Sequence, residues 1–176
     1  MPRLVYNSVT QRMGEYDWSR FVDRVSIDAD AQVIYDSWAT RRGLERWFLS
    51  KAEFYSGEGS RNPCDRVQKG DTYSWNWHGY ADYEGTGEIL QTNEKDFLEF
   101  TFTGGCRVSV SVKRESGETI CELTQTMPQE ADEDKQYYYI ECGKGWTFYL
   151  ANLKSILEGG VDLRNKNNEL QEMINA

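Results

Sequence analysis

Two hydrophobic periods divide this 176-residue chain, and their order leaves few architectures open. From Asp71 to Met127 apolar side chains recur at every second position, in the segments DTYSWNW, YEGTGEILQ, DFLEFTF, RVSVSVKR and TICELTQTM. A period of two is that of a strand with one buried face. The separators are short, so neighbouring strands are expected to pair antiparallel. From about Lys135 to Glu158 the period becomes 3.6, with Tyr139, Cys142, Trp146, Tyr149 or Leu150, Leu153 and Leu157 on one stripe. A helix of that span is about 36 Å long, and Gly159-Gly160 suits its C-terminal cap. A sheet with one apolar face followed by one long amphipathic helix must cover the first with the second.

The N-terminal third adds a strand and two short helices. In RFVDRVSID, Phe21, Asp23, Val25 and Ile27 face one way and Val22, Arg24, Ser26 and Asp28 the other. Asp28 or Asp30 offers an N-cap to AQVIYDSWAT, where Val33 or Ile34 and Trp38 recur at helical spacing. Thr40 and Gly43 interrupt, and LERWF reads as a second helix. GEGSRNPCDRVQKG, rich in Gly, Pro, Asn and Asp, reads as a loop. The chain is therefore α+β. About six to seven strands form a curved antiparallel sheet around a long C-terminal helix, with two short helices after the first strand. Residues 1–18 are expected to be an arm, 19–160 the domain and 161–176 a tail, where Leu170, Met173 and Ile174 share helical spacing.

Register follows from the turns. Ser116-Gly117 suits a two-residue hairpin, which sets position 112 against 121 and 110 against 123. Val108, Val110 and Val112 then share a face with Cys121, Leu123, Gln125 and Met127, and Cys106 lies opposite Met127, too far from Cys121 to bridge it. A three-residue turn taking in Cys106, with a glycine-based bulge, is expected to set Phe102 against Val108, Phe100 against Val110 and Leu98 against Val112.

Composition narrows the partners. The net charge of −9 disfavours nucleic acid and anionic membrane. No apolar run approaches the length of a membrane span. The four cysteines have no metal-ligand spacing, and the opening residues lack the apolar core of a signal peptide, so a reducing cytoplasm is expected. GEGSRN and GTGEIL lack the context of a dinucleotide fingerprint, and no phosphate loop is present. No cofactor is expected. His78 is the sole histidine, which removes any multi-histidine zinc site within one chain and obliges any histidine-based catalysis to use it. Asp82 and Glu84 lie nearby in sequence, but a residue beside Gly79 at a strand end is ordinarily solvated. Cys142 is a thiol of nucleophilic type placed on an apolar stripe, where inert cysteines are common. No catalytic residue is assigned.

The stretch YSWNWHGY, residues 73–80, concentrates aromatic side chains. Tyr73, Trp75 and Trp77 alternate on one face, which fits either core or the wall of a pocket. Gly85 and Gly87 on the next strand leave room opposite those rings unless Trp75 or Trp77 fills it. Gly143 and Gly145 thin the long helix, at about 1 kcal/mol each against Ala, as where a backbone must approach something closely or bend. Arg46 and Arg164 suit surface ion pairs or an anionic ligand head.

The segments VSIDADAQVIYDSWATRRGLERWF and GWTFYLANLKSILEGGVDLR resemble bacterial relatives of the C-terminal domain of the heat-shock protein 90 ATPase activator. That family lies in the START/SRPBCC superfamily, which shares the helix-grip fold of the birch pollen allergen. The resemblance spans roughly residues 19 to 165. It implies an apolar cavity between sheet and helix, and in this superfamily members bind lipids, hormones or polyketides while a minority catalyse. On that basis the expected function is non-catalytic binding of a small apolar or amphipathic molecule. Trp75, Trp77, Tyr83, Phe100, Phe102, Trp146 and Tyr149 would line the site and Trp47 and Phe48 would form its lid. A protein-interaction module with a chaperone partner and an enzyme using His78 as acid or base are the alternatives.

Overall fold

Eight strands form one antiparallel sheet in the order β1-β8-β7-β6-β5-β4-β2-β3. They are β1 (Arg20–Ser26), β2 (Lys51–Ser56), β3 (Gly59–Ser60), β4 (Thr72–Asn76), β5 (Gly85–Thr92), β6 (Phe97–Phe102), β7 (Cys106–Glu115) and β8 (Glu118–Thr126). Three helices accompany them: α1 (Ala31–Ala39), α2 (Arg41–Trp47) and α3 (Asp132–Leu157). The computed structural model describes residues 16–57, 59–80, 82–128, 132–167, 169, 170 and 173. Most of the expected N-terminal arm, and Ile174 of the tail, lie outside the described residues.

This is the expected α+β helix-grip arrangement, with one more strand than anticipated. The extra strand is β3, in the stretch expected to be loop. Gly59 adopts φ 122°, beyond the reach of most L-residues, and lets the chain fold back so that Tyr55 faces Ser60.

The apolar face of the sheet and the three helices enclose a single core. Asp30 caps α1 by accepting from Gln32 N at 2.8 Å, and Ile34 and Trp38 point inward while Val33 stays exposed. Thr40 separates the two helices as expected, but Gly43 lies inside the second, which begins at Arg41. Thr40 is its N-cap, with Oγ1 accepting from Gly43 N at 2.9 Å. A Cβ on Gly43 would lie 2.2 Å from the Asp36 carbonyl oxygen, so glycine is what allows α2 to turn so tightly against α1. Trp38 and Trp47 then meet edge to face at 4.5 Å.

The β7–β8 register is as expected: Val112 faces Cys121 and Val110 faces Leu123. Cys106 Sγ lies 3.9 Å from Met127 Sδ, and none of the four cysteines is in a disulfide. The β6–β7 register differs from expectation by two residues, with Phe102 facing Cys106, Phe100 facing Val108 and Leu98 facing Val110. The turn is the 3₁₀ segment Thr103–Gly105. Gly104 and Gly105 both take positive φ, at 64° and 76°, which completes the reversal before Cys106 and returns that residue to the strand. A slip of two preserves which face is buried, so the inward residues are unchanged. The bulge falls instead in β5, between Ile89 and Gln91.

Candidate functional site: an aromatic cleft beneath the long helix

Trp146 fixes α3 to the concave face of the sheet. Its indole is buried, and Nε1 donates to Gln125 Oε1 on β8 at 2.7 Å. Phe48 and Phe102 each lie 5.1 Å from it, and Trp38 lies 5.8 Å away. Such tilted pairs bury large apolar areas and hold each ring in one orientation.

On either side of Trp146 the helix meets different surroundings. Towards the C-terminus the interior is closed. Leu150 and Leu153 are buried in the core. Asn152, fully buried, donates from Nδ2 to Trp47 O at 2.7 Å and accepts from Leu163 N at 2.7 Å. Arg164 is no surface residue: its guanidinium donates to Leu49 O at 2.9 Å and Arg46 O at 2.8 Å and pairs with Asp162 at 2.7 Å. A buried cation at the C-terminal end of α2 satisfies carbonyls that the helix leaves open and opposes the negative end of its dipole. The hydrogen bonds from Arg164 and Lys166 hold the Asp162 carboxyl well below its usual range against the opposing effect of burial.

Towards the N-terminus the helix still touches β1, with Tyr139 edge to face on Phe21 at 5.2 Å, but a cleft of about 530 Å³ opens beside it. Gly145 lies on its lining. A Cβ there, or on Gly143, would meet nothing within 4 Å. The helix glycines therefore leave space, where close approach or a bend was expected. Phe48, Trp77, Tyr83, Phe102, Trp146 and Tyr149 line the cleft. Phe48 is the hinge of this wall, 4.7 Å from Tyr149 and 5.7 Å from Trp77, both edge to face.

The strand glycines have the opposite role. A Cβ on Gly85 would lie 2.8 Å from the Trp77 ring, and one on Gly87 would lie 2.5 Å from the Tyr73 hydroxyl oxygen. The space they leave is filled, by Trp77 and Tyr73. The stretch YSWNWHGY thus divides. Tyr73 and Trp75 stack at 3.8 Å inside the core, whereas Trp77 forms cleft wall. Of the nine residues expected at the site, six line the cleft. Trp75, Phe100 and Trp47 are buried in the core and do not. Trp47 gives its indole N–H to Ser37 O at 2.9 Å, a bond that ties α2 to α1.

Reading the sequence misses Tyr80, Thr103, Tyr137, Tyr138, Glu141, Lys144 and Met173, which also line the cleft. On α3 part of the signal lay in the apolar stripe itself, whose Cys142 and Tyr149 line the cleft together with Tyr138 and Gly145, at spacings of four, three and four. Tyrosine rings give these walls apolar surface with hydroxyl tips, and burial pushes the Tyr149 phenol up, so it is a neutral donor at physiological pH. Lys144 and Glu141 form an ion pair at 2.6 Å on the rim. Burial likewise raises the Cys142 thiol, leaving it protonated and weakly nucleophilic.

His78 is not on the cleft lining. Its pKa is lowered, first by desolvation and then by the charges of Arg164 and Lys166. Glu84, one of the two carboxylates considered as its partner, accepts instead from the Ser74 hydroxyl. Among the described residues no cluster of three or more His, Cys, Asp or Glu side chains could hold a metal ion, and no helix is long and apolar enough to cross a membrane.

A family model described as Activator of Hsp90 ATPase homolog 1-like protein matches residues 28–158. No curated protein is similar enough in sequence to count as a relative. Solved structures share the fold. Protein SSP2350 from Staphylococcus saprophyticus superimposes with a TM-score of 0.65 at 18% identity, over 82% of this chain and 96% of its own. The Aha1 dimer protein from Colwellia psychrerythraea gives 0.60 at 19% identity, over 80% and 97%. DynU16, a protein of the dynemicin biosynthetic locus, gives 0.64 at 18% identity, over 84% of this chain and 50% of its own.

Proposed function

The chain belongs to the Activator of Hsp90 ATPase homolog 1-like protein family, and from that fold and its open aromatic cleft we propose that it binds a small apolar or amphipathic molecule without transforming it. The observation that carries this reading is the space beside Trp146. An ordinary core helix would fill it with a side chain at position 145, and here nothing approaches within 4 Å. Natural interiors are packed to crystal-like density, so a void walled by preorganised rings is retained at a cost in stability and suits a ligand. Phe48, Trp77, Tyr83, Phe102, Trp146 and Tyr149 would make the apolar contacts, with tyrosine hydroxyls orienting the polar end.

Magnitudes set the scale of the test. A ligand burying roughly 200–300 Å² of apolar surface gains about 5–8 kcal/mol at about 25 cal/mol per Å², which corresponds to micromolar affinity or weaker. The acid–base alternative needs His78 facing the cleft with a carboxylate to orient it, and its position among Arg164, Lys166 and Asp162 does not support that role. A chaperone partner draws on the family's name, whereas the cleft draws on the residues of this chain.

Titration with anilinonaphthalene sulfonate, together with native mass spectrometry of the purified protein, tests the proposal. The expected result is saturable one-to-one binding in the micromolar range with quenching of tryptophan fluorescence. Absence of saturation, with no small molecule retained in the native spectrum, would contradict it.

A further inference from the structure

We propose that the C-terminal tail is the cleft's own occupant: Met173 seats in the mouth, and an incoming ligand has to displace it. This rests on the ligand-binding reading above and names how that site is regulated.

The tail leaves the domain on the cleft side of α3. Asn152 lies seven residues beyond Gly145, which is about two helical turns and returns it to the same face. Its side chain receives the tail, with Oδ1 accepting from Leu163 N at 2.7 Å. Ser155 Oγ donates to Val161 O at 2.7 Å, and Arg164 locks the segment to the end of α2. From this anchor the chain turns. Asn165 is partly buried, and its Oδ1 accepts from Asn167 N at 3.1 Å. Asn167 repeats the pattern, with Oδ1 accepting from Glu169 N at 3.0 Å and its carbonyl accepting from Leu170 N at 3.1 Å. Asparagine turns of this kind redirect a chain without helix or strand. His78 feels the charges of Arg164 and Lys166, which sets this stretch beside the connection between β4 and β5. Tyr80, two residues after His78, is on the cleft lining, and so is Met173. The lengths agree. Met173 is nine residues beyond Arg164, a reach of up to about 30 Å, and Gly145 lies about 10 Å back along α3 from Asn152.

The mouth suits a thioether. It is framed by Tyr137 of α3 and by Tyr80 and Tyr83, all of them exposed. Methionine is unbranched, follows irregular gaps, and makes favourable contacts between its sulfur and aromatic rings. Nothing comes within 4 Å of a Cβ at Gly145, so Met173 closes the mouth and leaves the floor free. Its own side chain is 38% exposed, which makes the hold partial. A short flexible linker gives an effective concentration of about millimolar. One side chain held at that concentration competes with a weak ligand without excluding it, and lowers apparent affinity in proportion to the fraction of molecules it closes.

Titration of the parent chain, Met173→Ser and Leu170→Ser with anilinonaphthalene sulfonate tests this, alongside NMR spectra of the parent with isotope-labelled methionine methyl groups, of which the chain has four. Met173→Ser is expected to bind about fivefold tighter, as when a seat filled in about four-fifths of the free molecules is emptied. Leu170→Ser, in the tail but off the cleft lining, should bind as the parent does. Both positions are exposed, so neither change threatens folding. The Met173 methyl signal should lie upfield in the ligand-free chain, shielded by the rings of the mouth, and should move to the position of a solvent-exposed methionine at saturation. Unchanged or weaker binding by Met173→Ser, or an unshifted Met173 methyl in the ligand-free chain, overturns the tail seat and leaves the ligand-binding reading standing. An equal gain in Leu170→Ser overturns the assignment to Met173. Absence of saturable binding in every chain overturns the ligand-binding reading, and competition at the mouth with it.

Discussion

The two halves of α3 cover the same sheet in different ways. Beyond Trp146 towards the C-terminus, Leu150 and Leu153 are buried in the core, and Asn152 and Arg164 close the seam with hydrogen bonds to the end of α2. Before Trp146 the helix presents Tyr138, Glu141 and Gly145 to a cleft, and Tyr137 is 63% exposed. The contrast shows how one helix can be both structural clamp and pocket wall. The closed half depends on the hydrogen bonds of buried Asn152 and Arg164, and the open half depends on a side chain left out.

The largest effect should come from the closed half. Arg164→Ala leaves Asp162 without its buried cation and the carbonyls of Arg46 and Leu49 without donors. Breaking a buried pair from one side costs about 3–5 kcal/mol, measurable by urea unfolding. If the halves are independent, the folded fraction keeps its affinity for anilinonaphthalene sulfonate, and parallel loss of stability and affinity would break the comparison.

An intermediate effect belongs to the sheet. Gly87→Ala places a Cβ 2.5 Å from the Tyr73 hydroxyl, whose ring is held by stacking on Trp75. Overpacking of this kind costs about 1–3 kcal/mol. Denaturation midpoints should fall accordingly, whereas a neutral result would mean that the strand glycines are as open as the helix glycines.

The smallest effect is one of pH. The pKa of His78 is below its usual 6.5 in the folded chain, so the unfolded chain binds the proton more readily. Its contribution is favourable above the unfolded pKa and is lost as pH falls from there through the folded value. Melting temperatures measured on either side of that window should drop less in His78→Gln than in the parent chain, and identical drops would refute the assignment.

Much of the closed architecture was legible because period and turn chemistry act locally. The Ser116-Gly117 hairpin set the β7–β8 register, and the stripe through Trp146 and Leu153 placed α3 on the sheet. The Thr103–Gly105 turn was placed one residue too late, which shifts the register by two, because two consecutive glycines permit more than one reversal. The cleft was only half legible. Phe102 and Trp77 declared themselves as aromatic residues on strand faces, but Trp75 and Phe100 carry the same signature and belong to the core. What separates them is distance along the strand from the helix seam, and that depends on tertiary packing. Arg164 was misread for a related reason. An arginine beside an aspartate looks like a surface pair until the carbonyls of α2, more than a hundred residues earlier, are brought to it.

The central claim is that α3 lacks a side chain at position 145 in order to leave room for a ligand. Gly145→Leu, with Gly143→Ala as its control off the cleft lining, measures this directly. Both changes remove a helix glycine where a Cβ meets nothing within 4 Å, so each should stabilise by about 0.5–1 kcal/mol and raise the melting temperature by a few degrees. The predicted result is that Gly145→Leu also loses anilinonaphthalene sulfonate affinity by about tenfold or more, roughly 1.4 kcal/mol, while Gly143→Ala binds as the parent chain does. Undiminished binding by a more stable Gly145→Leu chain would contradict the account.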